Sequence, residues 1–368
     1  MFRISGIDCC AVSIPLASPI RMAGEEILSA DNLVVRIGDG EGSFGWGEAA
    51  SAPLMTGETA KGMVAAARFM AERLDGAEVG EPAELHRTIE KLIYGNHGAK
   101  AAIEIALVDL MGKRANRPVC ELLGGRVRDE AVMLTMVAGG DPESELDSAL
   151  KQRAAGFSAF KVKIGTFTPE RDLERVAAVR AAAGSEVRIS ADANQGYGRD
   201  DALRFAEGAA QAGLDFMEQL VAADDLEGMA ACARSSSVPL GADEGLHSVA
   251  DIRRHSETGA ASGGSLKTIK LGGAFAVMDA ARLMRDLGMH VNLAGKVAET
   301  GIASAAVAHL SLAVPQLDWD TSITCQYLAD DIVAEKLRIV DGRLRPPDRP
   351  GLGIAVDEAR LAKYRSVH

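Results

Sequence analysis

Hydrophobic and polar positions follow two different rules along this 368-residue chain, and the rule changes near residue 125. Ahead of that point, alternating and β-rich stretches at Ile4–Leu16 and Asn32–Trp46 read as strands, and helical periodicity follows at Ala60–Leu74 and Ala99–Arg114. Strands grouped first and helices after them predict an α+β unit. Beyond about residue 130, short apolar runs alternate with alanine-rich amphipathic segments such as Pro169–Ala183 and Ala202–Ala212. The runs predict strands at Ala131–Val137, Ala159–Ile164, Val187–Ala191, Phe216–Glu218, Leu240–Asp243, Leu266–Ile269, His290–Leu293 and Leu317–Trp319. Strand–helix alternation at this spacing implies parallel pairing through crossover helices, and eight strands suffice to close a barrel. A doubly wound open sheet competes, but no glycine-rich phosphate turn follows the first strand. The stretch after about residue 330 is mixed, with a proline-rich turn at Arg345–Pro350, and is expected to return to the N-terminal unit. The expected organisation is an α+β capping domain over residues 1–125, completed by about 331–368, and a β/α barrel over 126–330 that carries the site.

Composition narrows the function class. Apolar residues make up 47% and charged residues 25%, which leaves ample core for such a barrel. A formal net charge of -12, with no run of Lys or Arg, argues against nucleic acid or an anionic membrane as partner. No apolar run is long enough to span a bilayer. Cys9, Cys10, Cys120, Cys232 and Cys325 form no C-x-x-C pair, which fits reduced thiols in a cytoplasmic protein. The N-terminal residues lack a charged region followed by an apolar one, so no signal peptide is expected.

Candidate chemistry lies at the ends of the predicted strands. The second carries Lys161 and Lys163, the third ends at Asp192, the fourth at Glu218, the fifth at Asp243, and the sixth carries Lys267. The intervals 192–218, 218–243 and 243–267 span 26, 25 and 24 residues, about one strand–helix unit each. Each residue therefore falls at the C-terminal end of its own strand, where barrel enzymes place their catalytic groups. One acid there is more often a helix cap. Three acids on adjacent strands, aimed at one point, would repel strongly without a cation between them. Oxygen ligands without His or thiolate suit Mg²⁺ or Mn²⁺. Lys161 and Lys163, two residues apart, leave the same face of their strand toward the interior. Neighbouring ammonium groups and a dication disfavour lysine protonation, so a lysine here can act as a base near neutral pH. Lys163 and Lys267 are expected on opposite sides of the barrel mouth.

At these residues the sequence resembles the enolase superfamily, specifically the mandelate racemase/muconate lactonizing enzyme family. Ala99–Gly125 (AKAAIEIALVDLMGKRANRPVCELLGG) looks like the family's domain junction, and FKVKIG, ADANQGY, MEQL, GADE and LKTIKLGG look like its successive barrel-strand motifs. The resemblance implies a modified TIM barrel of (β/α)7β type under an N-terminal α+β cap. It implies Asp192, Glu218 and Asp243 as metal ligands and Lys163 and Lys267 as the acid/base pair, with Lys161 supporting Lys163 and the substrate carboxylate. It also implies a symmetric homo-oligomer. Mandelate racemase-like members use a histidine at the end of the seventh strand. Here His290 starts that strand, and Lys267 instead matches the two-lysine, muconate lactonizing subgroup.

Several positions depart from the family pattern. Leu220 stands where proline commonly follows Glu-Gln, and Ser322 lies near a glutamate of muconate cycloisomerases, which argues against muconate itself. Lys296 is either a third cation near the substrate or a partner for Glu299. Asp318-Trp319-Asp320 looks like the pair with which dipeptide epimerases hold a substrate ammonium; otherwise one Asp is solvated and the other caps a helix. The loops Pro19–Ile27 and Ser51–Glu58 are expected to close over the mouth, with Arg21, Glu25, Met55 and Thr56 as specificity contacts. His97, His247 and His309 lack metal-ligand spacing, and Glu244 points elsewhere unless a loop turns it inward. The expected reaction is removal of the proton α to a carboxylate of a small molecule, most simply racemisation or epimerisation of an amino acid or its derivative. β-Elimination from a hydroxy amino acid, or cycloisomerisation, is the alternative. A catalytically dead binding barrel is disfavoured by the full set of acids and lysines.

Overall fold

The computed structural model describes residues 2–22, 25–137 and 141–366, with the side chains at 21, 22, 25 and 83 outside the described part. Three antiparallel strands, Ile7–Met22, Glu25–Gly38 and Phe44–Ala50, open the fold, with Ile7 opposite Ile37 and Asn32 opposite Ala50. Helices Ala60–Leu74, Pro82–Glu90 and His97–Ala115 follow. Thr59 caps the first by accepting from Gly62 N at 3.2 Å. The third is buried on nearly all faces, as its mostly apolar sequence allows, because it lies between this sheet and the barrel. The sheet approaches that helix very closely. A Cβ at Gly45 or Gly47 would sit 1.9 or 1.8 Å from the carbonyl oxygens of Ala106 and Ala102, so only glycine fits. The next residue, Glu48, locks the two units together. Its buried carboxylate accepts from Asn32 Nδ2, Thr300 N, Thr300 Oγ1 and Ala303 N at 2.6 to 2.9 Å, across the N-terminus of helix Gly301–Ala313.

Eight parallel strands in sequential order form the barrel: Leu134–Val137, Ala159–Lys163, Arg188–Asp192, Phe216–Glu218, Leu240–Ala242, Gly263–Leu266, His290–Ala294 and Thr321–Ser322. A parallel bridge between Met133 and Thr321, with Ser322 Oγ donating to Leu134 O at 2.8 Å, joins the eighth strand to the first. The fold is an α/β modified TIM barrel under an α+β cap.

Two strands lie away from their expected places, for one shared reason. The expected eighth strand, Leu317–Trp319, is a turn, because Trp319 points inward and plugs the barrel floor. Its ring stacks on Phe216 with centroids 4.2 Å apart. A Cβ at Gly241 or Gly263 would lie 2.6 Å from that ring, so the neighbouring strands need glycine there. The sixth strand therefore begins in Gly263-Gly264, which carries no β signal, and ends where the expected one starts. The tail makes contacts with both units. Ile339–Val340 and Arg343–Leu344 form a hairpin that pairs with Ala131–Val132 beside the barrel. Farther on, Leu352 N donates to Asp109 Oδ1 at 2.8 Å and Ser366 N to Ala11 O at 3.0 Å. All five cysteines are buried free thiols. Among the described residues, no helix is long and apolar enough to cross a membrane.

Candidate active site

Strand register decides which side chains meet inside the barrel. Lys163 pairs with Asp192, Asp192 with Glu218, Glu218 with Gly241, and Gly241 with Gly263. Side chains alternate along a strand, so Asp243, Ser265 and Lys267 leave the same inward face as Gly241 and Gly263. Carboxylate oxygens of Asp192, Glu218 and Asp243 all come within 4.8 Å of one another, and all three residues are buried. A hard cation suits such a cluster, since the donors are anionic oxygens with no sulfur or imidazole among them.

Lysines surround the cluster. Lys161 Nζ bonds Glu218 Oε2 and lies 3.9 Å from Asp192 Oδ2. Lys163 Nζ donates to Asp192 Oδ2 at 2.6 Å and to Asn194 Oδ1 at 2.7 Å. Lys267 Nζ bonds both oxygens of Asp243. Lys163 ends the second strand and Lys267 follows the sixth, four strands apart in a barrel of eight, so they face each other across the mouth.

The carboxylates dominate the charge balance of two of these lysines. Burial pulls Lys161 down, but the charges of Glu218 and Asp192 outweigh it and hold its pKa above the usual lysine range. Lys267 follows the same balance, with Asp243 the leading opposing charge. Asp243 is held well below the usual carboxylate range, because Lys267 and Lys270 outweigh its burial. Neighbouring ammoniums thus count for less here than the carboxylates beside them.

Three participants carried no role in the sequence reading. Lys270 is fully buried, its Nζ donating to Asp243 Oδ1 at 2.6 Å and Ser265 O at 2.8 Å, and it also bonds Asp243 O. Burial chiefly lowers its pKa. Ser265 Oγ lies 2.6 Å from Glu218 Oε1. Asn194 adopts φ 42 and bridges Lys163 to Glu244, donating through Nδ2 to Glu244 Oε1 at 3.0 Å. The second lysine of LKTIKLGG and the asparagine of ADANQG were the available signals. Asparagine tolerates left-handed backbone better than most residues, which suits that turn.

The cluster opens into a cavity of about 130 Å³. Met55 and Lys296 line it, as do Leu54, Met136, Ile323 and Tyr327. The backbone N of Lys296 donates to Glu299 Oε1 at 3.0 Å. Thr56 does not reach the cavity, because Oγ1 closes its own loop through Ala52 O and Glu58 N, each at 3.3 Å. The side chains of Arg21 and Glu25 lie outside the described residues. Asp318 and Asp320 are a correction. Both precede the eighth strand, at the opposite end of the barrel from the cluster. Asp318 bonds His290 Nδ1, and Asp320 accepts from Arg188 Nη1 at 2.6 Å; His290 and Arg188 each start a strand. Neither aspartate can hold a substrate above the cluster. Their pattern misleads because the eighth strand begins only at Thr321, after both aspartates.

Comparison with known proteins agrees with this architecture. Residues 5–124 match the mandelate racemase / muconate lactonizing enzyme N-terminal domain, and residues 145–360 match the enolase C-terminal domain-like family. The N-succinyl-L-Arg/Lys racemase of Bacillus cereus is 29% identical over 98% of this chain and 97% of its own. Muconate cycloisomerase 1 of Pseudomonas putida is 35% identical over 75% of this chain and 74% of its own. The crystal structure of muconate lactonizing enzyme from Pseudomonas fluorescens complexed with muconolactone superposes with a TM-score of 0.95 at 32% identity, covering 99% of this chain and 100% of that one. The chain belongs to the mandelate racemase / muconate lactonizing enzyme family of the enolase superfamily.

Proposed function

We propose that this protein is a Mg²⁺-dependent enzyme that removes the proton α to a carboxylate and returns it on the other face, a racemase or epimerase of an amino acid or amino-acid derivative. The observation that carries this is the placement of Lys163 and Lys267 on opposite sides of the mouth, with the carboxylate cluster between them. Inversion needs a group on each face, one to take the proton and one to deliver it.

Asp192, Glu218 and Asp243 are proposed to hold the Mg²⁺, with Mn²⁺ as a substitute. When bound, the dication supplies Lewis-acid stabilisation of the negative charge that develops on the substrate carboxylate as the α-proton leaves. Lys161, beside Glu218, provides a fixed positive charge for the same carboxylate. Lys267, bonded to both oxygens of Asp243, stands ready to hold or move a proton on the face opposite Lys163. Asn194 aims Lys163 by accepting from its Nζ. Leu54 and Met55, on the loop after the capping sheet, wall the cavity and restrict water. Lys296 is a proposed substrate contact.

The same opposed pair supports a second reaction. One lysine takes the α-proton while the other protonates a hydroxyl leaving from the adjacent carbon, which makes a dehydratase of a hydroxy amino acid. Cycloisomerisation, the reaction named for one of the relatives above, also begins or ends at this carbon–hydrogen bond. Incubation of the Mg²⁺-loaded enzyme with amino acids and N-acylated amino acids in D₂O tests the proposal. The expected result is α-deuterium incorporation with loss of optical rotation, both abolished by a chelator. Release of a keto acid instead selects elimination, and full activity in chelated protein overturns the metal assignment.

A further inference from the structure

Glu244 occupies a place in the cavity that the reaction above does not use. The fifth strand ends at Ala242 and the chain bends at Asp243, which turns the next side chain into the cavity instead of away from the barrel. Asn194 ties Glu244 to Lys163 on one side, and Asp243 with its bonded Lys267 stands on the other. The residue is only 5% exposed. Its Oε1 accepts from Asn194, whereas Oε2 is buried with no hydrogen-bond partner. A buried carboxylate oxygen without a donor is costly, and such an atom at a cavity wall is suited to a donor that arrives with the ligand.

Which donor follows from the chemistry of the wall. The acids lining the cavity are Asp192, Asp243 and Glu244, and the first two belong to the cluster assigned to the metal. Asp318 and Asp320, the pair with the sequence pattern of an ammonium clamp, lie at the far end of the barrel. Among the described residues, Glu244 is thus the acid left beside the reacting lysines, and an anionic oxygen bonds a charged N–H about twice as strongly as a neutral one.

We propose that Glu244 Oε2 receives a protonated amine on the substrate's reacting carbon, so that the enzyme acts on amino acids with a free amine in preference to N-acylated ones. This rests on the α-proton abstraction proposed above and adds the substrate class. Glu244→Gln keeps the volume and the oxygen that accepts from Asn194, but places an N–H donor where the substrate donor would bind.

The test uses the Mg²⁺-loaded full-length enzyme in D₂O with two probe pairs, L-proline against N-acetyl-L-proline and L-lysine against Nα-succinyl-L-lysine. The α-deuterium exchange rate gives kcat/KM for each, and calorimetry gives the Mg²⁺ affinity. The expected result is a free-amine preference in the native enzyme for at least one pair. In Glu244→Gln that preference falls by about tenfold or more, through KM, with Mg²⁺ affinity held within about twofold. Exchange only with the N-acylated members overturns the assignment while leaving proton abstraction standing. An unchanged preference in the variant, or Mg²⁺ affinity weakened by about tenfold, overturns it too, the latter because Glu244 then serves the metal. Exchange with no probe counts against both proposals.

Discussion

Replacing Asn194 separates the aim of one lysine from the integrity of the whole site. Asn194 Oδ1 holds Lys163 Nζ at 2.7 Å, a hydrogen bond to a charged group, and its backbone sits at φ 42. Such a bond is worth about 1.5–3 kcal/mol, and each 1.4 kcal/mol of transition-state stabilisation is about tenfold in rate. Asn194→Ala should therefore slow proton removal by Lys163 by roughly 10- to 100-fold. It should also destabilise the fold by about 1–2 kcal/mol, because alanine has to adopt the left-handed backbone. Asn194→Gly removes that strain, since glycine takes this conformation readily. The two variants should differ in melting temperature but share the kinetic defect. The assay is α-deuterium exchange measured on each enantiomer separately. The loss should fall on the enantiomer whose hydrogen faces Lys163, because Lys267 keeps its bonds to Asp243. Native exchange from both enantiomers in Asn194→Gly would refute the reasoning. Equal losses from both would mean that Asn194 supports the cluster as a whole.

Other perturbations read other parts of the account. Trp319→Ala empties the barrel floor and should cost about 3–5 kcal/mol in denaturant melts, while the folded variant still exchanges α-protons, because the site lies at the opposite end. A loss under 1 kcal/mol would mean that the floor is not packed on this ring. Burial chiefly, opposed by Lys296 N and reinforced by the charge of Glu48, raises Glu299 to about 8. The native state then binds more protons than the unfolded one between about pH 4.5 and 8, so its contribution to stability is present below that window and is lost as pH rises through it. Glu299→Gln, which keeps the acceptor for Lys296 N, should flatten this slope, and parallel melting-temperature profiles would contradict the assignment. Asp192→Asn, Glu218→Gln and Asp243→Asn should each weaken Mg²⁺ binding by calorimetry, since each replaces an anionic ligand; native affinity in any one removes that residue from the metal site.

Much of the site was legible because its residues sit at strand ends with a regular period. Asp192, Glu218, Asp243 and Lys267 recur about once per strand–helix unit, and period-two geometry put Lys161 and Lys163 on one face. What stayed hidden depended on contacts between distant segments. Nothing local marks Gly263-Gly264 as strand; Gly263 is explained by Trp319, more than fifty residues later, and Gly264 by the side chain of Leu246 and the carbonyl of Ala242. Once Trp319 turns inward, the eighth strand starts at Thr321, and the aspartates beside it fall to the barrel floor instead of the mouth. Lys270 and Glu244 were visible as letters, but their roles depend on a one-turn helix at Thr268–Leu271 and a bend at Asp243. Periodicity does not register features that short.

Enantiomer-resolved deuterium exchange in Lys163→Ala and Lys267→Ala tests the opposed-lysine mechanism most directly. With Mg²⁺-loaded protein, each variant should lose racemisation altogether, since inversion requires a proton donor and a proton acceptor on opposite faces. Each should still exchange the α-proton of one enantiomer, and the two variants should retain opposite ones, as befits lysines that face each other from the second and sixth strands. Full racemase turnover after loss of either lysine, or retention of the same enantiomer by both variants, would contradict the account.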